Sequence, residues 1–218
     1  MVAGMSCCRD GACARMFKPR FARRSLERYR TKGLDGLERQ MVASAVESGV
    51  EGARVVEIGG GIGCLQAELL DAGAQEGEIV ELVAAYEPYA DQLAREKGLQ
   101  GRTSFRVVDV LEQPDAVEPA DIVVLNRVVC CSPDGVALTA AAGRLTRRTL
   151  VLSFPRDVLW ARTGVRALNA GLWLTRNPFR VFIHRPAALL AAAETEGVRV
   201  GDGGRGFFWQ WAVLRRPT

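Results

Sequence analysis

Short apolar runs and amphipathic segments alternate along the chain after residue 50. This alternation is typical of an α/β fold in which helices connect the strands of a parallel sheet. The segment Ile122–Asn126 begins with four consecutive apolar residues, which indicates a strand covered on both faces. The pattern predicts strands at Arg54–Ile58, Glu78–Leu82, Thr103–Val108, Ile122–Asn126, Thr149–Phe154 and Arg180–His184, followed by an antiparallel pair around Arg199–Val200 and Phe207–Leu214.

Helices with one apolar face are predicted between these strands and ahead of the first one. Two of them lie in the first fifty residues, at Arg20–Lys32 and Leu34–Ser48. We expect residues 1–50 to form a basic arm with helices and residues 51–218 to form the main domain of a single globular unit. The helices predicted in the main domain are Cys64–Ala72, Ala84–Glu96, Gly135–Leu145, Val158–Leu174 and Pro186–Glu196.

The most informative motif is the glycine-rich turn after the first predicted strand. It places Glu57, Gly59, Gly61 and Gly63 in the order acid, x, Gly, x, Gly, x, Gly, directly before a helix. Glycines there permit positive φ and let a ligand approach the backbone, while the helix N-terminus offers free N–H groups. The spacing does not fit the dinucleotide fingerprint, because the third required glycine is missing. No Gly-Lys-Ser or Gly-Lys-Thr sequence is present, which excludes a phosphate-binding P-loop.

The spacing of Glu57, Gly59, Gly61 and Gly63 resembles the first motif of class I S-adenosylmethionine (SAM)-dependent methyltransferases. The resemblance implies a Rossmann-like α/β fold with a mostly parallel, seven-stranded sheet and helices on both faces. It also implies that these four residues bind the cofactor, with the turn wrapped around the amino-acid end of SAM. A carboxylate at Glu57 can help to hold the ammonium group, directly or through water. A βα turn that contains glycines for other reasons would share part of this pattern.

Later positions extend the resemblance toward the rest of SAM. Glu81 ends the second predicted strand, where a carboxylate can accept hydrogen bonds from both ribose hydroxyls, and Glu87 is the alternative. Asp109 and Val110 match the family's contacts with the adenine amino group and ring, although Asp109 could instead cap a turn. Asn126 ends the fourth predicted strand, which lies beside the methyl group in that family, and is therefore also a predicted cofactor-binding residue. The resemblance therefore implies that SAM is the cofactor.

A second, more local resemblance follows the fifth predicted strand. Ser153–Arg156, the apolar and basic segment after it, and Pro178–Arg180 are similar to the same region of magnesium-protoporphyrin O-methyltransferases. That family esterifies a propionate on a large flat macrocycle. Together the resemblances imply transfer of a methyl group from SAM to a small or medium-sized acceptor.

The candidate catalytic residues are His184, Tyr29 and Arg156. Methyl transfer requires the nucleophile to be held in line with the methyl group, and a general base only when the acceptor must lose a proton. His184 is the only histidine, but a lone histidine is more often a structural hydrogen-bonding residue. Tyr29 lies in the basic arm and Arg156 follows the fifth predicted strand. Residues 155–184 form either a core-facing helix or a lid whose arginines meet carboxylates of the acceptor.

Six cysteines leave a second chemistry open. Cys130 and Cys131 follow the fourth predicted strand, and Cys7, Cys8 and Cys13 lie on the arm. Converging thiolates would favour a soft metal, a metalloid or an iron–sulfur cluster, but the spacing fits no standard zinc pattern. We therefore predict no metal site and expect free thiols in a reducing compartment. A cysteine-rich methyltransferase that handles a metal or metalloid remains an alternative.

Charge and hydropathy restrict the partners. The net charge of +4 is too small to indicate a nucleic-acid partner. The basic excess lies mainly in residues 1–32, either as a solvated face or as a contact with an anionic substrate or surface. Neither a secretory signal nor a run of 18 apolar residues is present, so we expect a cytoplasmic protein with at most peripheral membrane contact. The partner is then a small-molecule methyl acceptor, and a non-catalytic SAM-binding protein is the alternative function.

Overall fold

Residues 11–217, which the computed structural model describes, contain seven strands in one mixed sheet. The strands are β1 (Arg54–Ile58), β2 (Glu76–Glu81), β3 (Thr103–Val107), β4 (Ala120–Leu125), β5 (Thr146–Pro155), β6 (Arg199–Arg205) and β7 (Trp209–Arg215). Their order in the sheet is β3-β2-β1-β4-β5-β7-β6; the first five strands of the chain run parallel, and β7 is antiparallel to both of its neighbours. This arrangement confirms the predicted mostly parallel, seven-stranded sheet.

Helices cover both faces of this sheet. Successive residues of a strand point to opposite faces. Val123 accordingly packs in one apolar cluster with the helices Gly135–Leu145 and Pro186–Glu194, whereas Val124 packs in another with the helices Gly36–Glu47, Cys64–Asp71 and Glu87–Glu96. No helix among residues 11–217 combines the length and the apolar character needed to cross a membrane. The helices are α1 (Ala12–Met16), α2 (Pro19–Lys32), α3 (Gly36–Glu47), α4 (Cys64–Asp71), α5 (Glu87–Glu96), α6 (Gly135–Leu145), α7 (Leu159–Leu174) and α8 (Pro186–Glu194).

The helices α2 and α3 pack on the core of the sheet, because their apolar residues Leu26 and Met41 are buried in the same cluster as the residues of β1. A capping box begins α3: the Glu38 N–H donates to Asp35 Oδ1 (3.0 Å), and the Asp35 N–H donates to Glu38 Oε2 (2.8 Å). Two orphan N–H groups of the helix terminus are thereby satisfied. This cap also fixes the position of the Glu38 carboxylate.

The predicted strand at Arg180–His184 is wrong, because these residues form an irregular segment. The side chain of Asn169 on α7 forms hydrogen bonds with both backbone groups of Val181. Asn169 Nδ2 donates to the Val181 carbonyl (2.8 Å), and the Val181 N–H donates to Asn169 Oδ1 (2.9 Å). The Phe182 N–H donates to the carbonyl of Cys130 (2.8 Å). Since a side chain and a turn satisfy these groups, the segment needs no neighbouring strand. The final antiparallel pair is confirmed as β6 and β7.

Candidate functional site

A cavity of about 390 Å³ lies at the carboxyl ends of the parallel strands. Ligands of open α/β sheets bind at this edge, and the volume is that of a small-molecule site. Segments that follow β1, β2, β3 and β4 form one side, and side chains from α1, α2 and α3 form the other. Among the residues that line it are Gly59, Gly60, Gly61, Glu57, Glu81, Asp109, Val110, Asn126, Arg127 and Cys131, together with Phe17, Phe21, Ser25, Arg28, Glu38 and Tyr86.

The glycine turn has the backbone conformation that the sequence indicates. Gly59, Gly61 and Gly63 all have positive φ, at 66°, 57° and 77°. A Cβ at Gly59 would overlap Val128, and one at Gly63 would overlap Ile79, so close packing also requires glycine at both positions. Gly59 and Gly61 line the cavity, whereas Gly63 lies outside the lining and caps the N-terminus of α4. The turn therefore presents bare backbone to a ligand at residues 59–61.

Glu81 connects the end of β2 to the glycine turn. Its Oε2 accepts a hydrogen bond from the Gly61 N–H (3.0 Å), and its Oε1 accepts from the N–H groups of Leu82 (2.7 Å) and Val83 (3.2 Å). Burial raises the pKa of this carboxyl above its usual value, and the three N–H donors oppose that shift. A carboxylate offers about four acceptor positions, so one of them on Oε2 is left for a ligand hydroxyl.

Glu57 lies deeper, at the end of β1, and is only 2% exposed. Its Oε2 accepts from the Gln66 N–H of α4 at 3.1 Å. Burial raises the pKa of Glu57 to about 8, with smaller contributions from the negative charges of Glu38 and Glu81, while the Gln66 hydrogen bond opposes the rise. The folded chain therefore holds a proton on Glu57 at neutral pH, unless a cation lies beside it.

Asp109 and Val110 line the cavity next to the end of β3. Asp109 also forms the turn cap that the sequence left as an alternative, because its Oδ1 accepts from the Leu111 N–H at 2.9 Å. The cap holds the carboxylate in place at the cavity wall. Val110 is buried and adds an apolar surface beside it.

A polar cluster joins α2 and α3 to the segment after β4, and the sequence analysis identified only its Asn126. Glu38 is 4% exposed and is contacted by Arg28 Nη2 at 3.2 Å and Arg127 Nη1 at 3.5 Å. Asn126 Nδ2 donates to Glu38 Oε1 at 3.2 Å. Arg127 also pairs with Asp35. A buried carboxylate is thus compensated by two arginines and one amide at the edge of the cavity.

Ser153 orients this polar cluster from within β5. Its hydroxyl donates to Asn126 Oδ1 (2.8 Å) and accepts from the Arg127 N–H (2.9 Å). These bonds fix the Asn126 amide with its Nδ2 toward Glu38 and hold Arg127 at a φ of 57°. The Arg127 guanidinium carbon lies 5.3 Å from the centre of the Trp209 ring. The capping-box spacing of Asp35 and Glu38 was a readable signal for part of this cluster.

Two of the predicted catalytic residues lie outside the cavity lining and have structural partners. His184 Nε2 lies 2.9 Å from the carbonyl of Ser132, and its ring packs beside Gly135 at the start of α6. Arg156 Nη1 donates to the carbonyls of Gly206 (3.3 Å) and Phe207 (3.2 Å) in the turn between β6 and β7. The structure places no residue of α7 in the cavity lining.

Tyr29 is the third candidate outside the lining. Its hydroxyl donates to Glu68 on α4 and accepts from Lys97 Nζ at 3.1 Å. Burial raises the Tyr29 pKa above its usual value, and the hydrogen bond to Glu68 adds to the rise. A tyrosine that holds its proton more tightly is a poor general base. Tyr29 attaches α2 to the main part of the molecule.

We expect Tyr29→Phe to lower the free energy of unfolding by about 1 kcal/mol and to leave ligand binding in the cavity unchanged. The loss is small because Glu68 and Lys97 remain paired at 3.0 Å. Urea unfolding measures the change. A loss of ligand affinity without a loss of stability would contradict this structural role.

The cysteines do not assemble as a metal centre within residues 11–217, where no group of three or more His, Cys, Asp or Glu side chains could hold a metal ion. The sulfurs of Cys130 and Cys131 lie 3.9 Å apart, and Cys131 lines the cavity. Cys13 also lines it but forms a disulfide, which corrects the expectation that all six cysteines are thiols. Cys7 and Cys8 lie outside the described residues.

Comparison with known proteins gives structural likeness only. No protein-family model matches the sequence, and no curated protein matches it. Magnesium protoporphyrin IX methyltransferase from Synechocystis PCC 6803, solved with bound SAH, superimposes with a TM-score of 0.70 at 20% identity over 94% of this chain and 99% of that one. An O-methyltransferase family protein from Burkholderia thailandensis gives 0.68 at 18% identity, over 92% and 61% of the two chains.

The same fold also supports other chemistry. The [4+2]-cyclase SpnF superimposes with a TM-score of 0.61 at 14% identity, over 83% of this chain and 80% of that one. Fold alone therefore does not identify the reaction. With the strand order and the helices on both faces, these likenesses show that the chain has the Rossmann-like fold of class I methyltransferases.

Proposed function

We propose that this chain binds SAM in the cavity and transfers its methyl group to a small-molecule acceptor. The observation that carries the proposal is the hydrogen bond from the Gly61 N–H to Glu81, which places a carboxylate beside the glycine turn inside one cavity. The carboxylate keeps an acceptor position for a hydroxyl group, and the turn beside it lets the end of an amino acid approach the backbone. A nucleoside linked to an amino acid has both kinds of group.

The lining residues fit the parts of SAM one by one. Glu81 would accept from a ribose hydroxyl, since one acceptor position of Oε2 remains unused. Asp109 and Val110 would contact the amino group and ring of adenine. The backbone of residues 59–61 would follow the amino-acid end, and Glu57 would help to hold the ammonium. Gly63 supports this turn from outside the cavity.

The polar cluster fits an acceptor with a polar group on an apolar body. Arg28, Glu38 and Arg127 all line the cavity, so the cluster offers both hydrogen-bond donors and a carboxylate to a polar ligand group. Apolar lining comes from the aromatic side chains of Phe17, Phe21 and Tyr86.

The residues of the polar cluster would contribute to catalysis mainly by positioning the acceptor. SAM, when bound, supplies a methyl group that is already activated on a sulfonium. The polar cluster of Asn126, Arg127 and Glu38 would hold the acceptor beside the end of β4, and Ser153 keeps Asn126 in one orientation. Holding two reactants in line at near-contact distance provides a large part of the rate of a displacement. His184, Tyr29 and Arg156 have no place in this step, because they lie outside the lining.

Isothermal titration calorimetry with SAM and with SAH tests the binding half of the proposal. We expect saturable binding of both at one site per chain, since the contacts above involve the nucleoside and amino acid that the two share. The methyl-transfer half is tested by SAH formation when compounds with carboxyl, hydroxyl, amine or thiol groups are added. A folded protein that binds neither SAM nor SAH contradicts the proposal.

A second candidate is a SAM-binding protein that does not transfer the methyl group. The structural likeness to the [4+2]-cyclase supports this second candidate, because that protein is named for a reaction other than methyl transfer. Tight SAM binding without SAH formation from any tested acceptor would support it. The division at residue 50 and the cytoplasmic location stay predictions from the sequence.

A further inference from the structure

The outer surface of α7 is almost entirely exposed. Of its sixteen residues only Ala161 and Val165 are buried. With about 100° between successive residues, Leu159 and Leu174 lie on the side of the helix opposite to these two, and they are 76% and 74% exposed. A stripe about 140° wide on this outer side contains no charged residue: Leu159, Trp160, Thr163, Gly164, Ala167, Ala170, Gly171 and Leu174.

The turn between β6 and β7 continues this apolar surface. Phe207 is 81% exposed and stacks on Trp160, with ring centroids 4.6 Å apart and an angle of 24° between the planes. Arg156 holds the turn in place through the carbonyls of Gly206 and Phe207. Together, Leu159, Trp160, Leu174 and Phe207 form the apolar face of this part of the molecule.

The charges around the apolar face are mostly positive. Residues 158–193 contain five arginines and no aspartate or glutamate, although Asp157, just before α7, pairs with Arg162. Arg162 and Arg166 lie along α7 beside the apolar face, near the exposed Trp173, and Arg176 follows the end of the helix. Leucine and tryptophan on one side of a helix and arginines on the next are the composition of helices that lie in a membrane interface.

We propose that the apolar face docks on an anionic lipid surface, with the axis of α7 parallel to the membrane. Burial of the apolar side chains and attraction of the arginines to anionic headgroups both favour this contact. A second copy of this chain fits less well, because a two-fold interface brings the same patch together from both partners. Residues 158–193 contain no acid to pair with the arginines of the other copy. The proposal goes beyond methyl transfer and does not depend on SAM binding.

Cosedimentation with vesicles tests the proposal. We expect the full chain to bind phosphatidylcholine vesicles that contain phosphatidylglycerol, and not vesicles of phosphatidylcholine alone. Binding should weaken as salt is raised from about 0.1 M to about 1 M, where the Debye length falls to about 3 Å. The double variant Leu159→Ser and Leu174→Ser should lower the partition coefficient by at least about tenfold. The double variant Arg166→Glu and Arg176→Glu should lower it by at least about tenfold as well.

Two control variants make the same kinds of substitution at positions away from the apolar face. Val107→Ser removes an exposed apolar side chain from β3, at the other edge of the sheet, and Arg95→Glu reverses a charge on α5. Both should bind vesicles like the unchanged chain, and circular dichroism confirms that every variant is folded. Equal binding to neutral and anionic vesicles, or unchanged binding of the double variants, overturns the proposal. So does a dimer in sedimentation equilibrium that the Leu159→Ser and Leu174→Ser variant loses, if vesicles are not bound.

Discussion

Glu81→Gln is expected to weaken the binding of SAM by about ten- to a hundredfold in isothermal titration calorimetry. The side chain keeps its size but loses its charge, and a hydrogen bond to a charged group contributes about 1.5–3 kcal/mol. The new amide also brings an NH₂ group against backbone N–H donors, since Gly61, Leu82 and Val83 all donate to Glu81 in the native chain. The glycine turn would therefore lose an anchor at the same time as the ligand loses an acceptor.

Glu87→Gln is the matched control for this prediction. Glu87 is the other acid that follows β2, but it is exposed in the first turn of α5 and does not line the cavity. The same chemical change there should leave the affinity for SAM as it is. Thermal unfolding of both variants separates a binding defect from a folding defect. If Glu81→Gln folds and binds SAM like the unchanged chain, the placement of the ribose beside Glu81 is wrong.

The local part of the site was predictable from the sequence because neighbouring residues determine it. An apolar strand, a glycine turn and a helix follow one another between Arg54 and Asp71, and an acid at the end of a strand must lie at the same sheet edge. Glu57, Gly59, Gly61 and Glu81 consequently meet at one cavity as expected. Gly63 shares the motif but serves the packing against Ile79.

The polar cluster could not be predicted in this way, because its members come from distant parts of the chain. Arg28, Glu38 and Arg127 lie on α2, on α3 and after β4, and only the packing of the two helices on the sheet brings them together. A sequence pattern carries no information on such long-range contacts. The strand that was expected to carry His184 to the sheet edge is wrong for a related reason, since residues 180–184 form an irregular segment bound by Asn169.

The two walls of the cavity use buried carboxyl groups in different ways. Glu38 is paired with arginines, so its charge is compensated within the protein. Glu57 has no arginine or lysine partner within residues 11–217, and its carboxylate accepts a hydrogen bond from the Gln66 N–H. A buried carboxyl that lacks a cation favours its neutral form. A positively charged ligand beside Glu57 would therefore be stabilised, whereas Glu38 is compensated without one.

The titration of Glu57 leads to the second large expected effect, which concerns stability. Its pKa is about 8 in the folded chain and about 4.3 in an unfolded one. Between these values the folded state binds more protons than the unfolded state, so the free energy of unfolding falls as pH rises. The stabilisation is complete below the unfolded value and is lost as pH rises through the folded value. Glu81, whose pKa is also raised by burial, acts in the same direction.

Urea unfolding of the ligand-free chain at pH 5.5 and pH 7.5 measures this dependence. We expect the unchanged chain to lose on the order of 2 kcal/mol between the two conditions. Glu57→Gln keeps a neutral oxygen for the Gln66 N–H and should reduce the loss, with Glu81 accounting for what remains, while Glu87→Gln should leave the loss unchanged. Asp35 and Glu68 do not interfere, because their pKa values are lowered and they titrate below this range. A Glu57→Gln chain as sensitive to pH as the unchanged one would show that Glu57 is ionised in the folded state, and its partner cation would then have to be found.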